Sequence, residues 1–231
     1  MPGDMDSFPG GTALTHLRVY DWPAEDGRCG GSPHLHTASA EAYVVLAGEG
    51  SVETLSGCAG HVEHPLTSGS LLWFTPGTVH RLVNASGDLE IMVVMQNAGL
   101  PEAGDAVLTF PPDVMDDPDA YGKAVALPAR KRRDLAMTGF VELRERVLEH
   151  GPEALTELYR AAGRLVRDRT PDWKDIWEQR VHAQAERTRE QLERLAEGDV
   201  DHLGQSAVYG APGTTEEIFG MCGRLQVWRN R

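Results

Sequence analysis

The period of the apolar positions changes once along the chain. From Thr12 to about Met95, short apolar stretches alternate with Gly, Pro and Ser. Thr12–Tyr20, His34–Thr37, Ala42–Ala47, Ser51–Leu55, Leu71–Phe74, His80–Val83 and Leu89–Met95 predict strands. Turn signals stand between them: Gly48-Glu49-Gly50, Ser56-Gly57, Ser68-Gly69, Pro76-Gly77 and Ser86-Gly87-Asp88. Many short strands at close spacing predict a sandwich or barrel over 12–97. Residues 98–129, rich in Pro, Asp and Gly, read as a linker over the barrel surface, with one helical turn near Asp117–Ala124. Over 130–198 the period becomes helical. Leu135 to Leu148 mark one helix, ended by Gly151-Pro152, and Leu155 to Val166 mark a second. Pro171 opens a third, with a stripe from Trp173, Trp177 and Val181 to Leu192 and Leu195. These helices either pack on one another and on the barrel, or offer the long one as a dimerisation seam. Residues 199–231 form a C-terminal tail in which Gly223–Trp228 reads as a strand returning to the barrel sheet, and residues 1–11 read as a frayed tail.

Composition narrows the class of function. The chain has 231 residues and a formal net charge of −13, which repels phosphate backbones and excludes nucleic acid as a general partner. Arg130-Lys131-Arg132-Arg133 is a local exception, read as a solvated helix start. No apolar run approaches the roughly 18 residues that cross a bilayer. The three cysteines, Cys29, Cys58 and Cys222, are widely spaced and odd in number, which predicts reduced thiols and a cytoplasmic location.

The chemistry concentrates in two short segments. In a strand, residues i and i+2 share a face, so His34 and His36 project together into the barrel and Leu35 faces away. Glu41 follows His36 after four residues, just before the next strand, and His80 opens a later one. Three imidazoles and a carboxylate suit manganese, iron, cobalt, nickel, copper or zinc better than calcium or magnesium. Four protein ligands on an octahedral ion leave two positions for water, oxygen or substrate. Tyr43 shares strand parity with Glu41, and Leu82 and Asn84 share it with His80; these, with Trp73, are the predicted pocket lining. Either Trp73 or Phe74 faces inward. His61 and His64, in a Gly/Pro-flanked stretch, are expected to be exposed.

Both segments resemble the two motifs of the cupins. The first is His34-Leu-His36, four residues, Glu41, six residues, Gly48; the second is Gly69, seven residues, Gly77, two residues, His80, three residues, Asn84. Two details depart from the family pattern: Gly27 lies one residue too far before His34, and the proline of the second motif is displaced to Pro76. The resemblance covers about Thr12 to Met95. It implies an all-β double-stranded β-helix, a jelly-roll barrel, here followed by an α-helical C-terminal extension. It also implies one divalent transition metal ion held by His34, His36, Glu41 and His80, and a homodimer.

Such sites serve several functions, and fold does not choose among them. The intact ligand set favours a metal-dependent enzyme of dioxygenase or isomerase type, acting on a small oxygenated molecule. The alternative is a non-catalytic small-molecule, sugar-binding or sensor protein. A DNA-binding regulator needs a basic helix-turn-helix, which the Glu-rich helices do not supply.

Overall fold

The computed structural model describes residues 8–214 and 217–228. The tail reading of residues 1–7 lies outside the described residues; Pro9–Gly11 form a 3₁₀ turn. Eleven strands are described: β1 (Ala13–Val19), β2 (His34–His36), β3 (Glu41–Ala47), β4 (Glu49–Ser56), β5 (Gly60–Thr67), β6 (Leu71–Phe74), β7 (Val79–Asn84), β8 (Glu90–Met95), β9 (Ala106–Leu108), β10 (Ile218–Phe219) and β11 (Gly223–Val227). They form two antiparallel sheets, β10-β11-β1-β8-β3-β6 and β5-β4-β7-β2-β9. Two of the strands fall where the sequence gives little alternation. β5 carries polar residues on much of its length, so His61 and His64 are half-buried in a strand and not in an exposed loop. β9 lies in the presumed linker and pairs with β2, His36 opposite Ala106.

The first sheet and the second face each other across one apolar core, built from Leu17, Val45, Val52, Leu82, Ile91 and Val93 among others. The second sheet is buried on its outer side as well. There Leu35, Leu55 and Val79 meet Phe110, Met137, Phe140, Leu143 and Leu155. This explains why β2 and β7 are buried throughout, and why Leu35, the odd residue of the His-x-His strand, is apolar.

The covering layer comprises α1 (Pro112–Met115), α2 (Pro118–Val125), α3 (Ala129–His150), α4 (Thr156–Val166), α5 (Thr170–Trp177) and α6 (Ala183–Ala196). Asp117 caps α2, its carboxylate accepting from Asp119 N at 2.9 Å, and Pro118 fits the first turn. α3 ends at Gly151 (φ 82°), followed by Pro152, which cannot continue it. Trp173 is buried, Val181 is half-buried and Trp177 is 37% exposed. α6 has no buried residue, and Leu192 and Leu195 face outward. The apolar stripe therefore packs only at its beginning. The basic cluster is a solvated helix start only in its first half, where Arg130 and Lys131 are exposed. Arg133 is buried and donates to the carbonyls of Trp22 and Pro23, and Arg132 donates to those of Val125 and Gly220. Those two guanidiniums are turned to backbone carbonyls and not to solvent. β11 pairs with β1 and extends the first sheet, as its apolar alternation suggested.

Candidate metal centre

The antiparallel pairing of β2 and β7 sets His34 directly opposite His80. Their Nε2 atoms are 3.1 Å apart. β3 brings Glu41 to the same space: Oε2 is 3.2 Å from His36 Nε2 and 3.2 Å from His80 Nε2. One donor atom from each of His34, His36, Glu41 and His80 lies within 4.8 Å of all the others. None of the four is more than 7% exposed. The turn before β7 depends on Gly77 (φ 85°), whose N–H donates to His36 O at 2.8 Å and so ties the two ligand segments together.

The far side of each ring is occupied. His34 Nδ1 stands 2.9 Å from Ser32 O and His80 Nδ1 stands 3.1 Å from Thr78 O. A carbonyl only accepts, so both Nδ1 atoms carry the proton and both Nε2 lone pairs point inward. His36 Nδ1 faces the Asp105 carboxylate at 3.4 Å. Among the described residues, no aligned donor reaches Glu41 Oε2. Inward lone pairs 3.1 Å apart beside an unsatisfied buried carboxylate oxygen are unfavourable without a cation among them. The donor set thus fits a divalent transition metal.

Electrostatics follow from the same geometry. Burial, together with the neighbouring His80 and His36, holds the His34 pKa well below the usual imidazole range. Burial alone would raise Glu41, but His80 and His36 hold it well below the carboxylate range. Burial likewise opposes protonation of His36, yet Asp105 and Glu41 raise it to about 9. Cys222 lies 3.9 Å from His34 Nδ1, and burial and Glu41 push its thiol well up, so it stays protonated.

Tyr43 and Phe74 wall the site, their rings 5.3 Å apart and that of Phe74 4.3 Å from His80. The predicted inward Trp73 is a correction: it is 69% exposed. Register decides, because Phe74 pairs with Glu41 on the interior face and Trp73 pairs with Ala42 on the other. Leu82 is buried in the barrel core. Asn84 is also corrected. Its amide donates to Val19 O and accepts from Gly87 N and Leu89 N, so it ties a turn at the end of β7 and does not line the site. Asp105 and Cys222 were not foreseen; neither carries a spacing signal, and both reach the site by strand pairing. A separate surface groove of about 670 Å³ is lined by Arg28, Ser51 and Glu63, which pair with one another, and holds none of the four donors.

Residues 24–95 match the family described as Cupin domain. The chain carries a cupin domain. The match takes in both ligand segments and stops before β9 and the helices. Among solved structures the cupin region is similar to a conserved protein with a double-stranded beta-helix domain from Klebsiella pneumoniae, at 19% identity, covering 39% of this chain and 70% of that one, TM-score 0.31. It is also similar to KdgF from Halomonas sp., at 16% identity, covering 38% and 71%, TM-score 0.31. A third likeness is to WlaRA, a TDP-fucose-3,4-ketoisomerase from Campylobacter jejuni, at 14% identity, covering 40% and 64%, TM-score 0.33. No curated protein sequence matches the chain.

Proposed function

We propose that this cupin holds one divalent transition metal ion on His34, His36, Glu41 and His80, and that it is an enzyme of dioxygenase or isomerase type acting on a small oxygenated molecule. The observation that carries the metal reading is the inward convergence of Nε2 lone pairs whose Nδ1 partners are already engaged. Bound there, a divalent ion of this class supplies Lewis acidity toward an oxygen ligand. The chain's own part is to hold the imidazoles in one tautomer, to place the negative charge of Glu41 beside them, and to exclude water with Phe74 and Tyr43. A non-catalytic binding or sensor role is the second reading, favoured by the burial of all four donors. Elemental analysis of protein purified without added metal tests both. Iron, copper or nickel supports oxygenation, zinc alone supports Lewis-acid chemistry or binding, and protein that takes up no divalent ion overturns the metal reading.

The unpaired state of all three cysteines supports a cytoplasmic location. The exposed Leu46, Leu71 and Trp73 on the first sheet, with Leu192 and Leu195 on α6, support a homodimer.

A further inference from the structure

Asp105 lies outside the residues matched by the cupin family, in a stretch whose composition reads as linker. Its side chain is nevertheless wholly buried. β9 begins one residue later, and its pairing with β2 sets Ala106 opposite His36. That register carries the preceding residue to the turn that leaves β2. Asp105 Oδ1 accepts from Thr37 N at 2.8 Å, Ala38 N at 2.7 Å and Thr37 Oγ1 at 2.7 Å. Oδ2 accepts from Ser39 N at 3.1 Å and stands 3.4 Å from His36 Nδ1, a buried nitrogen with no aligned hydrogen-bond partner among the described residues. His34 and His80 each meet a neutral carbonyl two residues earlier in the chain. His36 alone of the three has a carboxylate at Nδ1, and that carboxylate comes from another segment.

We infer that Asp105 is a positioning residue, which fixes His36 with its proton on Nδ1 and its Nε2 turned toward Glu41, and which anchors the 37–39 turn between the two ligands to the same carboxylate. The inference rests on the metal reading of the site. A carboxylate acceptor also makes the imidazole a better donor on its other nitrogen, and outer contacts of this kind are worth about 10–100-fold in metal affinity.

Asp105→Asn separates the two jobs. An amide oriented to keep its oxygen at Oδ1 still accepts from Thr37 and Ala38, but turns its NH2 on the N–H groups of His36 and Ser39, donor against donor. Thr37→Val removes one anchor of the turn and leaves the carboxylate facing His36. Zinc titration of metal-free protein is the first readout. Asp105→Asn is expected to bind zinc about 10–100-fold more weakly, and Thr37→Val close to wild type. The second readout is the His36 ring N–H resonance of zinc-loaded protein, with ring nitrogens labelled and His36 assigned by substitution. Wild type is expected to show an exchange-protected Nδ1–H, which Asp105→Asn shifts or loses. Equal zinc affinity and an unchanged ring resonance in Asp105→Asn overturn the inference while the metal reading stands. Should that variant not fold, wild type alone decides: a zinc-loaded His36 with its proton on Nε2 overturns it. No zinc uptake by wild type removes the metal reading, and this inference falls with it.

Discussion

At the residue scale, His34 and His80 are each held at Nδ1 by a backbone carbonyl that leaves Nε2 turned inward. His80 is the most buried of the four donors, its Nδ1 tied to Thr78 O and its Nε2 turned to His34 and Glu41. Replacing it with Ala removes a donor outright, so His80→Ala is expected to lose stoichiometric metal by elemental analysis, a larger loss than the about 10–100-fold typical of an outer contact. Retained metal in that variant would count against the ligand set. A second cluster lies outside the barrel interior, where the buried Arg81 is paired with Asp26 at 2.5 Å and Glu53 at 2.9 Å. Burial raises the Asp26 pKa, but hydrogen bonds from Arg81 and the Arg28 backbone bring it below its usual value. A carboxylate lowered in the native state contributes stability above its unfolded pKa, about 3.9, and loses it as pH falls through the native value. Wild type is therefore expected to lose more urea resistance between about pH 6 and about pH 3 than Asp26→Asn does. Equal losses would show that the pair contributes nothing. The four clustered donors were legible as residues because strand parity and spacing are local. Asp105 was not, since no local rule links residue 105 to residue 36.

At the element scale, the helical layer was readable from periodicity and caps, but its seat on the second sheet was not. α3 crosses the chain just after β9 so closely that a Cβ on Gly139 would lie 2.4 Å from Thr109 O and 2.4 Å from Phe110 C. These are backbone atoms and cannot swing aside. Gly139→Ala is expected to cost at least the about 1–3 kcal/mol of ordinary overpacking, read by urea denaturation. A neutral or stabilised variant would mean that helix and strand are not locked together there. The sequence marked β11 by its alternation yet gave no sign of β5 or β9. β5 is half-polar because His61 faces the buried Glu53 and the exposed Glu63 pairs with Arg28, and β9 is only three residues long. A short strand that borrows its order from its neighbour carries too few positions to show a period.

At the scale of the whole molecule, the proposed metal would be coupled to folding, because the donors come together only in the folded barrel. Saturating metal is expected to raise stability by about 2.7 kcal/mol at about 100 times Kd, which is roughly 5–10 °C in Tm for a chain of this size. An unmoved Tm across the divalent series would show that the cluster binds none of them. The outer face of the first sheet leaves Leu46, Leu71 and Trp73 open, and α6 leaves Leu192 and Leu195 open. A second copy supplies cover for both, and a two-fold relation lets one pair of patches close the assembly. Light scattering is expected to give twice the 25.2 kDa of one chain, with Trp73→Glu shifted toward the monomer. A wild-type mass of one chain, unchanged on concentration, would refute the dimer.

The sequence by itself determined the barrel, the helical extension and the four donor residues, because period-two alternation, glycine turns and ligand spacing are set by neighbours a few positions apart. Only the tertiary structure decided which of Trp73 and Phe74 faces the site, that β9 delivers Asp105 to His36, and that α3 and its neighbours bury the far side of the second sheet. These depend on strand register and on contacts between distant segments. A one-residue slip in register exchanges the two faces of a strand, and composition is the same either way.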